Sequence, residues 1–165
     1  MVPLLGSDLL GIYLNDHLVG ATTALELARR AQGSNEGSPL GDYLAGLVVE
    51  IEQDKEELEG IMERLGVGKD HLKLAAGWTA EKAGRLKLNG RVTSYSPLSR
   101  LVEVEALLLG VAGKRAGWLA LLEITPGEPR LDEEQLQRLA SRAEAQLTEL
   151  HHHHAEAAAE ALVER

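Results

Sequence analysis

Two Ser-Pro pairs and a set of loop signals divide this chain into four long stretches with helical character. Ser38-Pro39 and Ser96-Pro97 each place a capping residue directly before the residue type that is best tolerated at the first position of a helix. The segment TPGEP at residues 125–129 interrupts the second half of the chain. Because each stretch is longer than 20 residues, long helices constrain the fold more than any other feature.

The remaining helix boundaries follow from the same capping rules. Ser7 or Asp8 can cap the first helix, and Asp132 with Gln135 forms a capping box at the start of the last one. The predicted helices cover residues 7–32, 39–65, 70–87, 97–123 and 132–163.

The connections between these helices predict how they pair. Residues 33–37 and 124–131 form short loops, and short loops join antiparallel neighbours. The link of residues 67–95 is too long for a turn, and its own helical pattern is long enough to run back along a bundle. We therefore expect one all-α domain over residues 1–165, a four-helix bundle of two antiparallel hairpins with a long helical crossover between them.

Two helical hairpins joined by one long crossover resemble the ferritin-like fold over essentially the whole chain. Di-iron members of that superfamily carry a Glu on each of two helices and a Glu-x-x-His motif on each of the other two, all pointing inward. The resemblance therefore implies a metal cofactor, namely iron, manganese or zinc, and candidate ligands that helical periodicity can test.

The di-iron motif is incomplete in this sequence. Glu26 lies opposite the predicted core face of the first helix, and Gln53 stands three residues after Glu50, where the family has a histidine. Glu149 and His152 have the spacing of the motif, but their side of the last helix is predicted to face solvent. These departures place oxidoreductase activity of the di-iron type in doubt.

A few charged residues fall on helix faces that are otherwise apolar. His17 lies on the core face of the first helix, Asp54 on that of the second, and Glu105 and Arg115 on that of the third. Counting from the loops places His17, Asp54 and Arg115 at about the same level of the bundle. Because buried charges need partners, we expect these three side chains to form a cluster.

The histidine run at residues 151–154 belongs to the last helix, because eleven helix-compatible residues follow it. Only His154 falls in the predicted core stripe and His151 on its flank, whereas His152 and His153 face away. Glu105 is expected within about a turn of His151 and His154, which would form a second polar layer.

Two interpretations of these polar layers are open. They are buried ion pairs that fix the register of the helices, or they form a metal or ligand site. The residues of such a site would be His17, Asp54, Glu105 and His151 or His154. The positive charge of Arg115 would repel a divalent metal ion bound nearby, and it fits an ion pair or an anionic ligand better.

Charge and composition narrow the possible partners. Seventeen Lys and Arg against 26 Asp and Glu give a net charge of -9, so binding to nucleic acid or to an anionic membrane is not expected. The chain has no cysteine and no apolar segment of membrane-spanning length, which predicts a cytoplasmic protein without disulfides.

The third long helix carries small residues along one side, at Ala106, Gly110, Gly113 and Gly117. Such a side lets another backbone approach closely, and either the crossover or a second subunit is expected there.

No phosphate-binding loop, nucleophile elbow or cysteine nucleophile occurs, so no catalytic residue is predicted. The sequence favours a non-enzymatic structural or interaction protein that forms a homodimer. The alternative is a divergent metal-binding oxidoreductase of the di-iron type.

Overall fold

The computed structural model describes the backbone of residues 5–76 and 94–163 and the side chains from residue 9 onwards within those ranges. Residues 71–76 are helical, and residues 77–87 of the helix predicted over 70–87 lie outside the described part. No strand occurs in the described ranges, so the prediction of an all-α fold is confirmed. The long helices are α1 (Leu5–Ser34), α2 (Pro39–Leu65), α3 (Pro97–Ile124) and α4 (Glu133–Leu162), with a 3₁₀ turn at Thr125–Gly127.

The capping residues predicted for α2, α3 and α4 determine where these helices begin, whereas the cap predicted at Ser7 or Asp8 is wrong because both residues lie inside α1. The side chains of Ser38, Ser96 and Asp132 each accept a hydrogen bond from a backbone N–H in the first turn of the helix that follows. Gly66 ends α2 with a φ of 71°, a left-handed conformation that glycine adopts without steric cost. The observed boundaries of the four long helices differ from the predicted ones by at most two residues at each end, and those of α2 coincide with the prediction.

The helices pack as two hairpins, α1 with α2 and α3 with α4, and α1 also contacts α3. Arg100, near the start of α3, donates from Nε to Oδ1 of Asn35 in the loop before α2, at 2.8 Å. At the opposite end, Arg64 of α2 donates to Oε1 of Gln135 at the start of α4, at 2.5 Å. Helices α2 and α3 therefore begin at the same end of the bundle.

The core stripe that the sequence predicts for α2 is confirmed. All of its members are buried, namely Leu47, Ile51, Asp54, Leu58, Ile61 and Leu65. The flanks of this helix are strongly acidic, and this contrast makes the apolar face easy to identify.

Helical periodicity predicts that the inner stripe of α3 consists of Leu101, Glu105, Leu108, Ala112, Arg115, Leu119 and Leu122. This stripe is wrong by about one position. Glu105 and Leu119 were expected inside and are exposed, whereas the buried residues of this helix are Ser99, Leu101, Val104, Leu107, Val111, Gly117, Trp118 and Leu121. Leucine, valine and alanine surround much of the circumference of α3. Hydrophobicity alone therefore does not distinguish its inner face.

Two of the small residues along one side of α3, Gly110 and Gly117, pack against α1 of the same chain. A Cβ atom built on Gly117 would lie 2.7 Å from Cε1 of His17, and one on Gly110 would lie 3.7 Å from Cβ of Ala24. Glycine at position 117 thus makes room for the imidazole ring. No helix within residues 5–76 and 94–163 is long and apolar enough to cross a membrane.

Candidate functional site: a buried charge cluster beside a cavity

Asp54 is the centre of a buried charge cluster that joins three helices. Its side chain projects from α2 and is 2% exposed. Oδ1 accepts a hydrogen bond from Nη2 of Arg142 in α4, and Oδ2 accepts one from Nζ of Lys114 in α3. Arg142 also donates from Nη1 to Oε1 of Gln53 at 3.2 Å. Both carboxylate oxygens are therefore engaged by cations from other helices.

The prediction that Asp54 is buried is confirmed, but the prediction that Arg115 is its partner is wrong. Arg115 forms an ion pair with Glu144 instead, with 2.5 Å between Nε and Oε2, and its side chain is 39% exposed. The error has the same cause as the shifted stripe of α3, because Lys114 directly precedes Arg115. The second cation, Arg142, was not predicted.

Gln146 of α4 completes the cluster. Its Oε1 accepts a hydrogen bond from Nζ of Lys114 at 2.5 Å, and its Nε2 donates to Oε2 of Glu50 at 2.7 Å. Tyr43 also donates its hydroxyl hydrogen to the backbone oxygen of Gln146, at 3.2 Å. The amide is buried with both ends bonded, which is the condition under which a polar side chain is stable in a core.

Lys114 is unusual because its ammonium group lies in the interior. The side chain is 15% exposed. Burial lowers the pKa of Lys114 below its ordinary value of 10.5, and the neighbouring Asp54 carboxylate opposes that shift. An ammonium has three hydrogens, and Asp54 and Gln146 account for two of them.

A cavity of about 400 Å³ adjoins this cluster between α1, α2 and α3, and both Asp54 and Lys114 line it. Its wall is mainly apolar and includes Leu14, Ala21, Ile51, Leu58, Val111 and Leu121.

His17 lies in the wall of this cavity, and it is not an ion-pair partner of Asp54 in the described contacts. Its ring packs edge-on against Tyr13, with 4.6 Å between the ring centroids. Burial lowers the pKa of His17 below 6.5, and the Asp16 carboxylate opposes that shift. His17 is therefore neutral at pH 7. The predicted cluster of His17, Asp54 and Arg115 thus reduces to two residues that line one cavity.

Trp118 is a further residue of the cavity wall, and the sequence did not reveal that its polar group is buried. Its side chain is 3% exposed, and it lines the cavity. The buried Nε1 has no hydrogen-bond partner among the residues that the structure describes. A buried N–H group without an acceptor is uncommon in folded proteins.

The predicted second polar layer forms in part. Nε2 of His154 lies 2.9 Å from Oε1 of Glu105, as the helix counting predicted. His151 does not join this pair, since its Nδ1 lies 2.7 Å from the backbone oxygen of Leu147. The His154 and Glu105 side chains are 32% and 50% exposed, so this layer lies at the surface.

The orientation predicted for the histidine run is wrong. His153 is the buried member, at 8% exposure, and its ring lies 4.9 Å from that of Tyr43. The inner face of α4 passes through Gln146, Leu150, His153 and Ala157. Hydrophobicity favours Leu147 over Gln146 as an inner residue, and a stripe through Leu147 and Leu150 continues to His154.

Within the part of the chain that the structure describes, no group of three or more His, Asp or Glu side chains could hold a metal ion. Comparison with protein-family models, with curated proteins and with solved structures finds no match.

Proposed function

We propose that this chain is a non-enzymatic structural or interaction module whose buried charge cluster fixes how its helices pair. The observation that carries the proposal is that Lys114 and Arg142 both form ion pairs with the Asp54 carboxylate. Sliding α3 or α4 by one turn would leave a buried charge without a partner, which is strongly destabilising. Isolated polar residues fix helix register in the same way in other bundles.

The two ion pairs of Asp54 also support a structural role over a catalytic one. A general acid or base needs access to the proton that it transfers, whereas both Asp54 oxygens already accept hydrogen bonds from cations. His17 is neutral and close to the cavity, but no described contact joins it to a carboxylate that would orient it.

A ferritin-like topology is part of the proposal. Helices α2 and α3 begin at the same end of the bundle, so the chain between them has to return along its length. A helix as long as α2 spans roughly 40 Å, a distance that the intervening segment is long enough to cover. The distance between spin labels at positions 66 and 96 would test this topology. We expect a separation of roughly one helix length.

The alternative is a divergent metal-binding oxidoreductase of the di-iron type that uses iron, manganese or zinc. One observation favours it, since His17 and Asp54 line the same cavity. A metal ion at Asp54 would have to displace Lys114 or Arg142 from the carboxylate.

Elemental analysis of protein purified without chelator tests the proposal against this alternative. The proposal predicts well under one metal ion per chain, with the same content in wild type, in Asp54→Ala and in the control Glu105→Ala. Near-stoichiometric iron, manganese or zinc that is lost only in Asp54→Ala would establish the metal-binding alternative instead.

The homodimer expected from the sequence stays a prediction. Light scattering coupled to size-exclusion chromatography tests it directly. A mass of two chains that persists on dilution would support it, and a mass of one chain would overturn it.

A further inference from the structure

The cavity between α1, α2 and α3 has the features of a small-molecule site. Its volume of about 400 Å³ falls within the range of known ligand pockets, which are mostly apolar with a few well-placed polar groups. The apolar wall comes from all three helices, and Lys114 on α3 also lines the cavity. We propose that this cavity binds a small, mainly apolar carboxylate, with the carboxylate held by Lys114.

Lys114 lines the cavity and supplies the donor for the carboxylate. Two of its three hydrogens are directed to Asp54 and Gln146, which leaves one for a ligand. A hydrogen bond between a cation and a carboxylate is stronger than one between neutral groups.

The charge around the cavity favours an anion over a cation. Lys114 lines the cavity, whereas Arg142 lies outside its lining and pairs with the other oxygen of the buried Asp54 carboxylate, so this cluster has two positive charges against one negative charge. Glu50 bonds to the cluster through the amide of Gln146, and Asp16 is paired with Lys73 at 2.9 Å. His17 adds no charge at pH 7 because burial lowers its pKa.

The mouth of the cavity lies beside glycines that leave room for a ligand. Gly20 of α1 and Gly113 of α3 both line the cavity and are exposed. A Cβ atom added at either position would meet nothing within 4 Å. A larger side chain at Gly113 can therefore fill the cavity without straining the backbone.

Isothermal titration calorimetry with three probes of one chain length tests the proposal. The probes are octanoate, 1-octanol and octylammonium, each kept below its aggregation concentration. We expect saturable binding of one octanoate per chain, binding of octanol weaker by about tenfold or more because a charge-assisted bond is lost, and no binding of octylammonium. Equal binding of octanoate and octanol, or no saturable binding of any probe, would overturn the proposal.

A pair of matched variants locates the site. Gly113→Leu should abolish octanoate binding because leucine fills the cavity. Gly46→Leu makes the same change at an exposed position of α2 with equally open space, and it should bind octanoate as wild type does. Octanoate binding that survives Gly113→Leu would place the ligand elsewhere and reject the site.

A further variant tests the headgroup. Lys114→Met should weaken octanoate by about tenfold or more and leave octanol nearly unchanged. Circular dichroism checks that each variant is folded. If Lys114→Met does not fold, the comparison of octanoate with octanol and the Gly113→Leu result decide the question. Unchanged octanoate affinity in folded Lys114→Met would contradict the assignment of the headgroup.

Discussion

The two polar layers of this bundle use similar chemistry in different surroundings. Around Asp54 a carboxylate with 2% exposure is held by Lys114 and Arg142. In the other layer Glu105 and His154 form a single pair whose side chains are 50% and 32% exposed. Removing one partner of a buried ion pair leaves a charge without solvation, whereas water readily replaces an exposed partner. Burial therefore decides how much each layer contributes to stability.

The largest expected effect is that of Asp54→Ala. It leaves Lys114 and Arg142 facing each other without a counter-charge, and we expect a loss of about 3 kcal/mol in the free energy of unfolding. The lower end of the usual range applies because Arg142 is 29% exposed. Urea denaturation measures the loss, with Glu105→Ala as the control from the exposed layer. Equal losses of stability in the two variants would show that burial does not decide how much each layer contributes.

The next effect is that of Gln146→Leu within the buried layer. The substitution removes the acceptor for Lys114 and the donor to Glu50, and unpaired buried groups cost about 1–3 kcal/mol. Gln137→Leu is a matched control, since Gln137 is an exposed glutamine of the same helix that bonds only to Glu133 among the described contacts. A loss in Gln146→Leu no larger than in the control would show that the amide is dispensable.

His17, a partly buried histidine in the wall of the cavity, should make the free energy of unfolding depend on pH. Its pKa is lowered in the folded protein from 6.5 by burial, so the unfolded chain binds more protons between the lowered pKa and 6.5. Stability should therefore rise with pH through that window and be unaffected by this group above it. His17→Asn should flatten the dependence, measured by urea denaturation between about pH 5 and 7.5. His152→Asn controls for the loss of an exposed histidine. A slope that His17→Asn leaves unchanged would assign the dependence to other groups.

The smallest expected effect belongs to Glu105→Gln in the exposed layer. It removes the carboxylate beside His154, and an exposed pair contributes about 0.5 kcal/mol or less. The loss should decrease further at high salt because exposed charges are screened. Denaturation at low and at high sodium chloride measures it, and a salt-independent loss above about 1 kcal/mol would mean that this layer is buried in solution.

Helix order, caps and the α1–α2 and α3–α4 pairing could be predicted because they depend on local residues. Ser38, Ser96 and Asp132 cap their helices through contacts within one turn. The inner face of α2 could also be predicted, since its acidic residues mark the outer side. Asp54 was identified because it interrupts that apolar stripe.

The partners of Asp54 could not be predicted, because they depend on the rotation of α3 and α4. A rotation of about one residue exchanges Arg115 for Lys114 and His154 for His153 as inner side chains. Gln146 did have a usable signal, since it lies three residues after Ala143 and four before Leu150, both buried. A search for apolar residues overlooks Gln146 because glutamine is polar, and only its partners in the tertiary structure make its burial favourable.

Other buried polar residues depend on contacts that periodicity does not encode. Asn15 accepts a hydrogen bond from the backbone N–H of Asp70 at 2.7 Å and donates to the backbone oxygen of Gly68 at 2.9 Å. Asn35 donates to the hydroxyl oxygen of Tyr95 at 2.8 Å. These side chains attach the two ends of the long link to the bundle, and their partners are more than 50 residues away in sequence.

The most direct test of the account is the coupling energy between Asp54 and Arg142 from a double-mutant cycle. It requires the free energies of unfolding of wild type, Asp54→Ala, Arg142→Ala and the double variant. If the buried carboxylate joins α2 to α4, the coupling should be about 2–3 kcal/mol, near the upper end for directly contacting residues. A coupling below about 0.5 kcal/mol, as expected for independent positions, would contradict the claim that this cluster fixes the pairing of the helices.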